Sequence, residues 1–197
     1  MEIYLDFIFS AFLLLGLVAV YEFASTSIKF PSHNIETIAS GIAIGLMTVV
    51  ILINPVHVEK GIFVDARWVL LSCFALFFHW RMVVIGGIIA AAYRYFQGGL
   101  GAFPGVMTVI AAVVFGYLWR FMLIKFRIDF KWYLHYLFAV MMEVIIIGVI
   151  YLFMPEGKGL IVAKVITQPL LILFPFVSTF LSLLLQHHWQ KEITGLR

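Results

Sequence analysis

The sequence predicts an all-α polytopic membrane protein, a bundle of six or seven transmembrane helices, and three observations carry that reading. Hydrophobic residues fill 64% of the 197 positions, charged ones only 12%, and the mean hydropathy is +1.10. A soluble domain of this length has too little interior to bury so much apolar surface. The apolar residues also fall in runs of about 20, the length that crosses a bilayer as a helix. They do not form the shorter alternating segments of a transmembrane barrel. Finally, the charges gather between the runs. The net charge of +3 is therefore a topology signal, with no nucleic-acid-binding surface implied. Cys73, the single cysteine, lies inside an apolar run and permits no internal disulfide.

The first span covers residues 3–23, with Asp6 and Glu22 near its ends. It is too long and too weakly basic at its start for a cleaved signal peptide, so it reads as a retained anchor. A loop from Ser25 to Glu36 precedes a second span at 37–54, where Gly41 and Gly45 stand four apart, a spacing that lets helices approach closely. Asn54-Pro55 ends that span, and His57–Gly61 reads as a short polar connection. Two short spans follow, about 63–80 and 81–96, predicted to form an antiparallel hairpin broken at His79-Trp80-Arg81. The fifth span runs from Pro104 to about Met122, with proline in a first turn that does not need its N–H. The sixth, about 133–154, holds His135 near its start and Glu143 as its one charged residue, expected to hydrogen-bond a neighbouring helix. The last run reaches about Leu185, and Pro169 and Pro175 inside it predict a kink or a break. Trp68, Trp119, Tyr93 and Tyr95 read as aromatic-belt residues, either tyrosine being also a candidate pocket lining. His187, His188 and Trp189 read as an interfacial boundary, since adjacent histidines diverge on a helix and do not make a metal site.

Arg120, Lys125, Arg127 and Lys131 face only Asp129 in the loop between the fifth and sixth spans. The positive-inside rule places that loop in the cytoplasm, together with Lys29, Arg81, Lys191 and Arg197 and the C-terminus. Lys60, Lys158 and the loop 97–104 then lie outside.

Arg67 lies 12 residues before His79, and Arg94 lies 13 after Arg81. At about 1.5 Å per residue both guanidinium groups return to one depth on the outer face. The fifth span begins at that face, so its first-turn N–H groups point to the same place. Arginine near a span end either snorkels to the headgroups or faces a cavity or a partner. The equal depth, Asp65 and the glycine loop favour a shared polar site. Asp65 is placed to hold one guanidinium and leave the other free for a carboxylate, which arginine matches with two parallel hydrogen bonds. Gly99, Gly101 and Gly105 allow backbone to approach a small anion, and Thr108 offers a hydroxyl either to that anion or to its own helix backbone. The predicted ligand site is thus Asp65, Arg67, Arg94, Gly99, Gly101, Gly105 and Thr108. The glycine-rich loop lacks the Gly-Lys-Ser/Thr ending of a phosphate-binding loop. With no nucleophile–base pair, metal cluster or nucleotide motif, the chain reads as non-enzymatic, with no cofactor and no metal.

Three pieces, Gly61-Ile-Phe-Val-Asp65-Ala-Arg67, Ala92-Tyr93-Arg94-Tyr95 and Gly98-Gly99-Leu-Gly101-Ala102, resemble in order and spacing the LytS/YhcK-type five-transmembrane sensor domain. The resemblance is carried by residues 35–125, and by hydropathy elsewhere. It departs at Val69, Leu70 and Leu71, where the family usually has a proline, and at Phe78-His79-Trp80-Arg81, where the family turn is usually Gly-Gly-Pro-like. The family supplies the membrane input of histidine kinases in two-component systems and of diguanylate cyclases, and some members respond to small carboxylates such as pyruvate. The resemblance implies a receptor for a small anionic metabolite, with Arg67 and Arg94 as ligand contacts, acting in signal transduction as a homodimer in the lipid bilayer. Residues 1–186 are then the sensor domain, and 187–197 a cytoplasmic juxtamembrane stretch leading to an output domain. The alternative is a substrate-binding membrane subunit of a small-molecule transporter.

Overall fold

The structure, a computed structural model, describes the backbone of all residues except 1, 29, 60–61, 129–130 and 196–197, and side chains except those of 1–3, 29, 57–62, 129–130 and 187–197. Expectations placed on Lys29, Lys60, Gly61 and Asp129, on the side chains of His187, His188, Trp189 and Lys191, and on Arg197 lie outside the described residues.

Among the described residues seven helices form in chain order: α1 Glu2–Ser27, α2 His33–Ile53, α3 Arg67–Phe77, α4 Trp80–Gln97, α5 Ala102–Lys125, α6 Trp132–Phe153 and α7 Gly159–Gly195. Between α2 and α3 lies a small antiparallel hairpin, β1 Val56–Glu59 and β2 Ile62–Val64, pairing Val56 with Val64 and His57 with Phe63. The expected polar connection at His57–Gly61 is therefore partly strand. Val56 and Val64 are buried, so the hairpin turns apolar side chains into the bundle.

Among the described residues five helices are long and apolar enough to cross a membrane: Tyr4–Ser27, His33–Ile53, Ala102–Lys125, Trp132–Phe153 and Gly159–Gln186. Phe12 and Phe23 on α1, Phe121 on α5, Leu137 on α6, and Phe176 and Phe180 on α7 point outward. In water such a surface would aggregate; in a bilayer it meets hydrocarbon. The chain is an all-α polytopic membrane protein.

Side-chain contacts fix the direction of each helix. Leu52, late in α2, meets Gln97, late in α4, while Gly41 and Gly45 meet Ile85 and Ile89, so α2 and α4 are parallel. Gly116 and Arg120 of α5 meet Ser72, Ala75 and Phe78, so α3 and α5 are parallel. Phe103 meets Phe153 and Phe115 meets Phe138, so α6 opposes α5. Trp68 meets Phe174, and Cys73 meets Ser178 and Ser182, aligning α7 with α3. Odd-numbered helices run one way and even-numbered ones the other. The connections that follow α2, α4 and α6 share one face, and those that follow α1, α3 and α5 share the opposite, basic face.

The expected third span, 63–80, is corrected by α3. Its 11 residues rise only about 16 Å, and every one is buried. The extended segment from β2 to Ala66 supplies the rest of the crossing. The expected hairpin partner α4 packs chiefly on α2 and α5, and α3 on α5 and α7. The two helices share a turn at Phe78-His79, not a seam. Arg120 of α5 holds that turn by donating from Nη1 to the Phe78 carbonyl at 2.7 Å. Of the two outcomes expected of the α7 prolines, the break does not occur, because the helix continues through both Pro169 and Pro175.

The α2–α4 contact depends on glycine. A Cβ on Gly45 would stand 2.7 Å from Ile89 Cδ1, and one on Gly41 would stand 2.8 Å from Ile85 Cβ and 2.9 Å from the Met82 carbonyl. Gly45→Val is therefore expected to overpack this seam and lower stability by about 1–3 kcal/mol, read as a lower thermal midpoint in detergent, whereas Gly148→Ala, with open space around it, leaves the midpoint unchanged.

Candidate anion-binding site

Backbone geometry makes the first half of the site. The chain leaves β2 at Val64, and Asp65 and Ala66 turn it into α3. Ala66 has no side chain to cap the helix, so Asp65 does it from one residue earlier. Its Oδ1 accepts the Arg67 backbone N–H at 3.1 Å and Arg67 Nε at 2.7 Å, while Oδ2 accepts Arg67 Nη2 at 2.6 Å. One carboxylate thus caps the helix and clamps the guanidinium side-on. Asp65 is 1% exposed and Arg67 2%. Arg67 Nη1, on the far side of the clamp, has no hydrogen-bond partner among the described residues.

The second half comes from the end of α4. Arg94 sits in its last turn, where a cation also meets the negative end of the helix dipole. Nη1 donates to Gln97 Oε1 at 2.8 Å and to the Gly98 carbonyl at 3.1 Å. Gln97 Nε2 in turn donates to the Leu52 carbonyl at 3.3 Å, tying the arginine to the end of α2. Arg94 is 1% exposed, and its Nε and Nη2 have no partner among the described residues.

Two glycines make room for this side chain. A Cβ on Gly101 would lie 2.8 Å from Arg94 Nη2, and one on Gly105 would lie 2.7 Å from Nε. The guanidinium therefore rests directly against the backbone where α5 begins. The Gly101 Cβ position is also 4.0 Å from the Phe63 carbonyl, which brings β2 beside it. Arg94 lies within electrostatic reach of both Arg67 and Asp65.

Asp65, Arg67, Arg94, Gly101 and Gly105 thus come together. Gly99 stands apart, exposed in the turn at φ +82°, a conformation that glycine adopts freely. Thr108 is buried, but its hydroxyl donates to the Gly105 carbonyl at 2.8 Å, within its own helix. Tyr95 is 69% exposed and turned away from the pocket. Trp68 and Trp119 correct the aromatic-belt reading, since both are buried in the bundle. Gln97 escaped the sequence reading, although its place three residues after Arg94 on a helix was the signal for it.

The electrostatics are one-sided. Asp65 balances Arg67, and the charge of Arg94 is left over. Three guanidinium nitrogens, Arg67 Nη1 and Arg94 Nε and Nη2, are buried without a partner among the described residues. A buried unpaired donor costs about 1–3 kcal/mol, and a charged one more. An anion placed between the two arginines would satisfy these donors and the residual charge together.

Glu143, mid-span on α6, has its partner on the residue next to Arg67. Trp68 Nε1 lies 3.1 Å from each carboxyl oxygen and donates to them. Neither residue is exposed by more than 1%. The Trp68 ring also tilts against Phe174 of α7, with centroids 6.2 Å apart.

A family model described as "5TMR of 5TMR-LYT" matches residues 20–188. No curated protein and no solved structure matches the chain.

Two substitutions separate the roles of these groups. Asp65→Ala leaves the Arg67 charge buried and unpaired, and is expected to cost about 3–5 kcal/mol, seen as a large fall in thermal midpoint. Glu143→Gln keeps an acceptor for Trp68 and is expected to stay near the wild-type midpoint, while Glu143→Leu strands the indole N–H and costs about 1–3 kcal/mol.

Proposed function

The chain belongs to the LytS-type five-transmembrane sensor family, and from that premise we propose that this membrane input module is a receptor for a small carboxylate. The ligand is pyruvate-like in size and charge. It enters from the extracytoplasmic side and lies between Arg67 and Arg94, whose own guanidinium is seated on the backbone of Gly101 and Gly105. The observation that carries the reading is the set of three buried guanidinium nitrogens without partners, beside one uncompensated positive charge. Arginine suits this ligand because its planar fork matches both carboxylate oxygens.

The response follows from where the contacts originate. Arg67 opens α3, Arg94 closes α4 and the glycine seat opens α5, so one ligand draws three helix ends together. A ligand shifts a conformational equilibrium only by its differential affinity for the two states. In this reading the distance between the two guanidinium groups is what differs between them. Residues 1–186 form the sensor and 187–197 a juxtamembrane stretch, with the C-terminus cytoplasmic in a bacterial inner membrane. The module acts as a homodimer that regulates a histidine kinase or diguanylate cyclase output.

The test is a titration of purified protein with pyruvate, lactate and related carboxylates, read by thermal unfolding. At about 100 times its dissociation constant a ligand is expected to stabilise the fold by about 2.7 kcal/mol, and Arg94→Ala is expected to abolish that gain. No stabilisation by any carboxylate, in protein that unfolds cooperatively, would overturn the reading. Uptake of the ligand into proteoliposomes would replace the receptor by a transporter subunit.

A further inference from the structure

We propose that the groove between α2 and α4 on the basic face is a binding site for one anionic phospholipid. The groove has a volume of about 490 Å³ and opens outward from the bundle. Its walls are Thr37, Ile38, Val84 and Ile85, with Ile38 exposed along its outer edge, and its mouth, at the first turns of the two helices, is formed by Asn34, Trp80 and Arg81. Because α2 and α4 run parallel, their first turns open at the same mouth, where His33 and His79 bring the two starts together with ring centroids 6.1 Å apart. The walls suit an acyl chain and the mouth suits a headgroup.

Charge decides which headgroup. Arg81 is exposed, sits over the Trp80 ring at 5.5 Å from its centroid, and pairs with no carboxylate among the described residues. Trp80 is 54% exposed, as expected of an indole seated at the membrane–water boundary. Glu36, the acid carried by the first turn of α2, faces His33 at 3.6 Å. Zwitterionic lipid offers Arg81 a phosphate accompanied by its own cation; anionic lipid offers the phosphate without one. Basic pockets between membrane helices hold anionic headgroups in this way. The groove is separate from the arginine pair. Arg81 and Arg94 stand at opposite ends of α4, about 20 Å apart along its axis.

Native mass spectrometry of the detergent-purified chain tests the assignment, using phosphatidylglycerol and phosphatidylcholine with identical acyl chains. Wild type is expected to retain phosphatidylglycerol about fivefold better, the weight of one basic residue at a membrane surface. Arg81→Gln is expected to bring the ratio near one, while Lys125→Gln, at the exposed end of α5, leaves it unchanged. Ile38→Trp fills the groove without touching Arg81 and is expected to lower retention of both lipids. Equal retention by wild type would overturn the proposal, as would an effect of Lys125→Gln as large as that of Arg81→Gln. Displacement of the lipid by millimolar inorganic phosphate would also overturn it, since a site built on the groove walls requires the acyl chain.

Discussion

Charge cannot be left bare in the interior of a membrane protein, and this bundle places two guanidinium groups and a carboxylate there, each no more than 2% exposed. The local architecture is arranged around that burden. A full-length third helix would place its first residue at the membrane surface, where Arg67 would find water. With α3 only 11 residues long, Arg67 opens the helix inside the bundle, where Asp65 clamps it. Arg94 approaches from the opposite direction on α4, and the glycines that open α5 let it lie against backbone. Had either Gly101 or Gly105 carried a side chain, its Cβ would occupy the space of the Arg94 guanidinium.

Much of this was legible in the sequence, for identifiable reasons. The long apolar runs report α1, α2, α5, α6 and α7 directly, because a bilayer imposes a length that few other constraints mimic. Gly41 and Gly45 report a close helix contact through their spacing, and the structure names the partner as α4. The charged site residues were visible because arginine and aspartate inside apolar runs need a reason to be there. What hydropathy does not carry is depth. It reads α3 and the extended segment before it as one span, since both are apolar and both are buried. The hairpin at 56–64 escaped for a related reason, its short strands being interrupted by polar residues that read as a loop.

Trp68 shows the limit of residue type as a guide. Tryptophan near a span end usually marks the membrane boundary, and that rule fails when the helix begins inside the bundle. Buried at the head of α3, the indole needs an acceptor, and mid-span Glu143 is the acceptor it finds. The two anomalies of the sequence, a charged residue in the middle of α6 and an aromatic residue at the wrong depth, explain one another.

This pairing also gives the arginine site a mechanical neighbour. Trp68 follows Arg67 in the first turn of a rigid helix, so a displacement of Arg67 carries the indole with it. The indole is hydrogen-bonded to α6 and packed against Phe174 of α7, one residue before Pro175. Proline withholds one backbone hydrogen bond from the turn it enters, which makes that part of α7 the easiest to bend. Trp68 thus links the residue beside it, Arg67, to both α6 and α7, through the Glu143 hydrogen bond and the Phe174 ring, while Cys73 adds a second contact to α7 at Ser178 and Ser182.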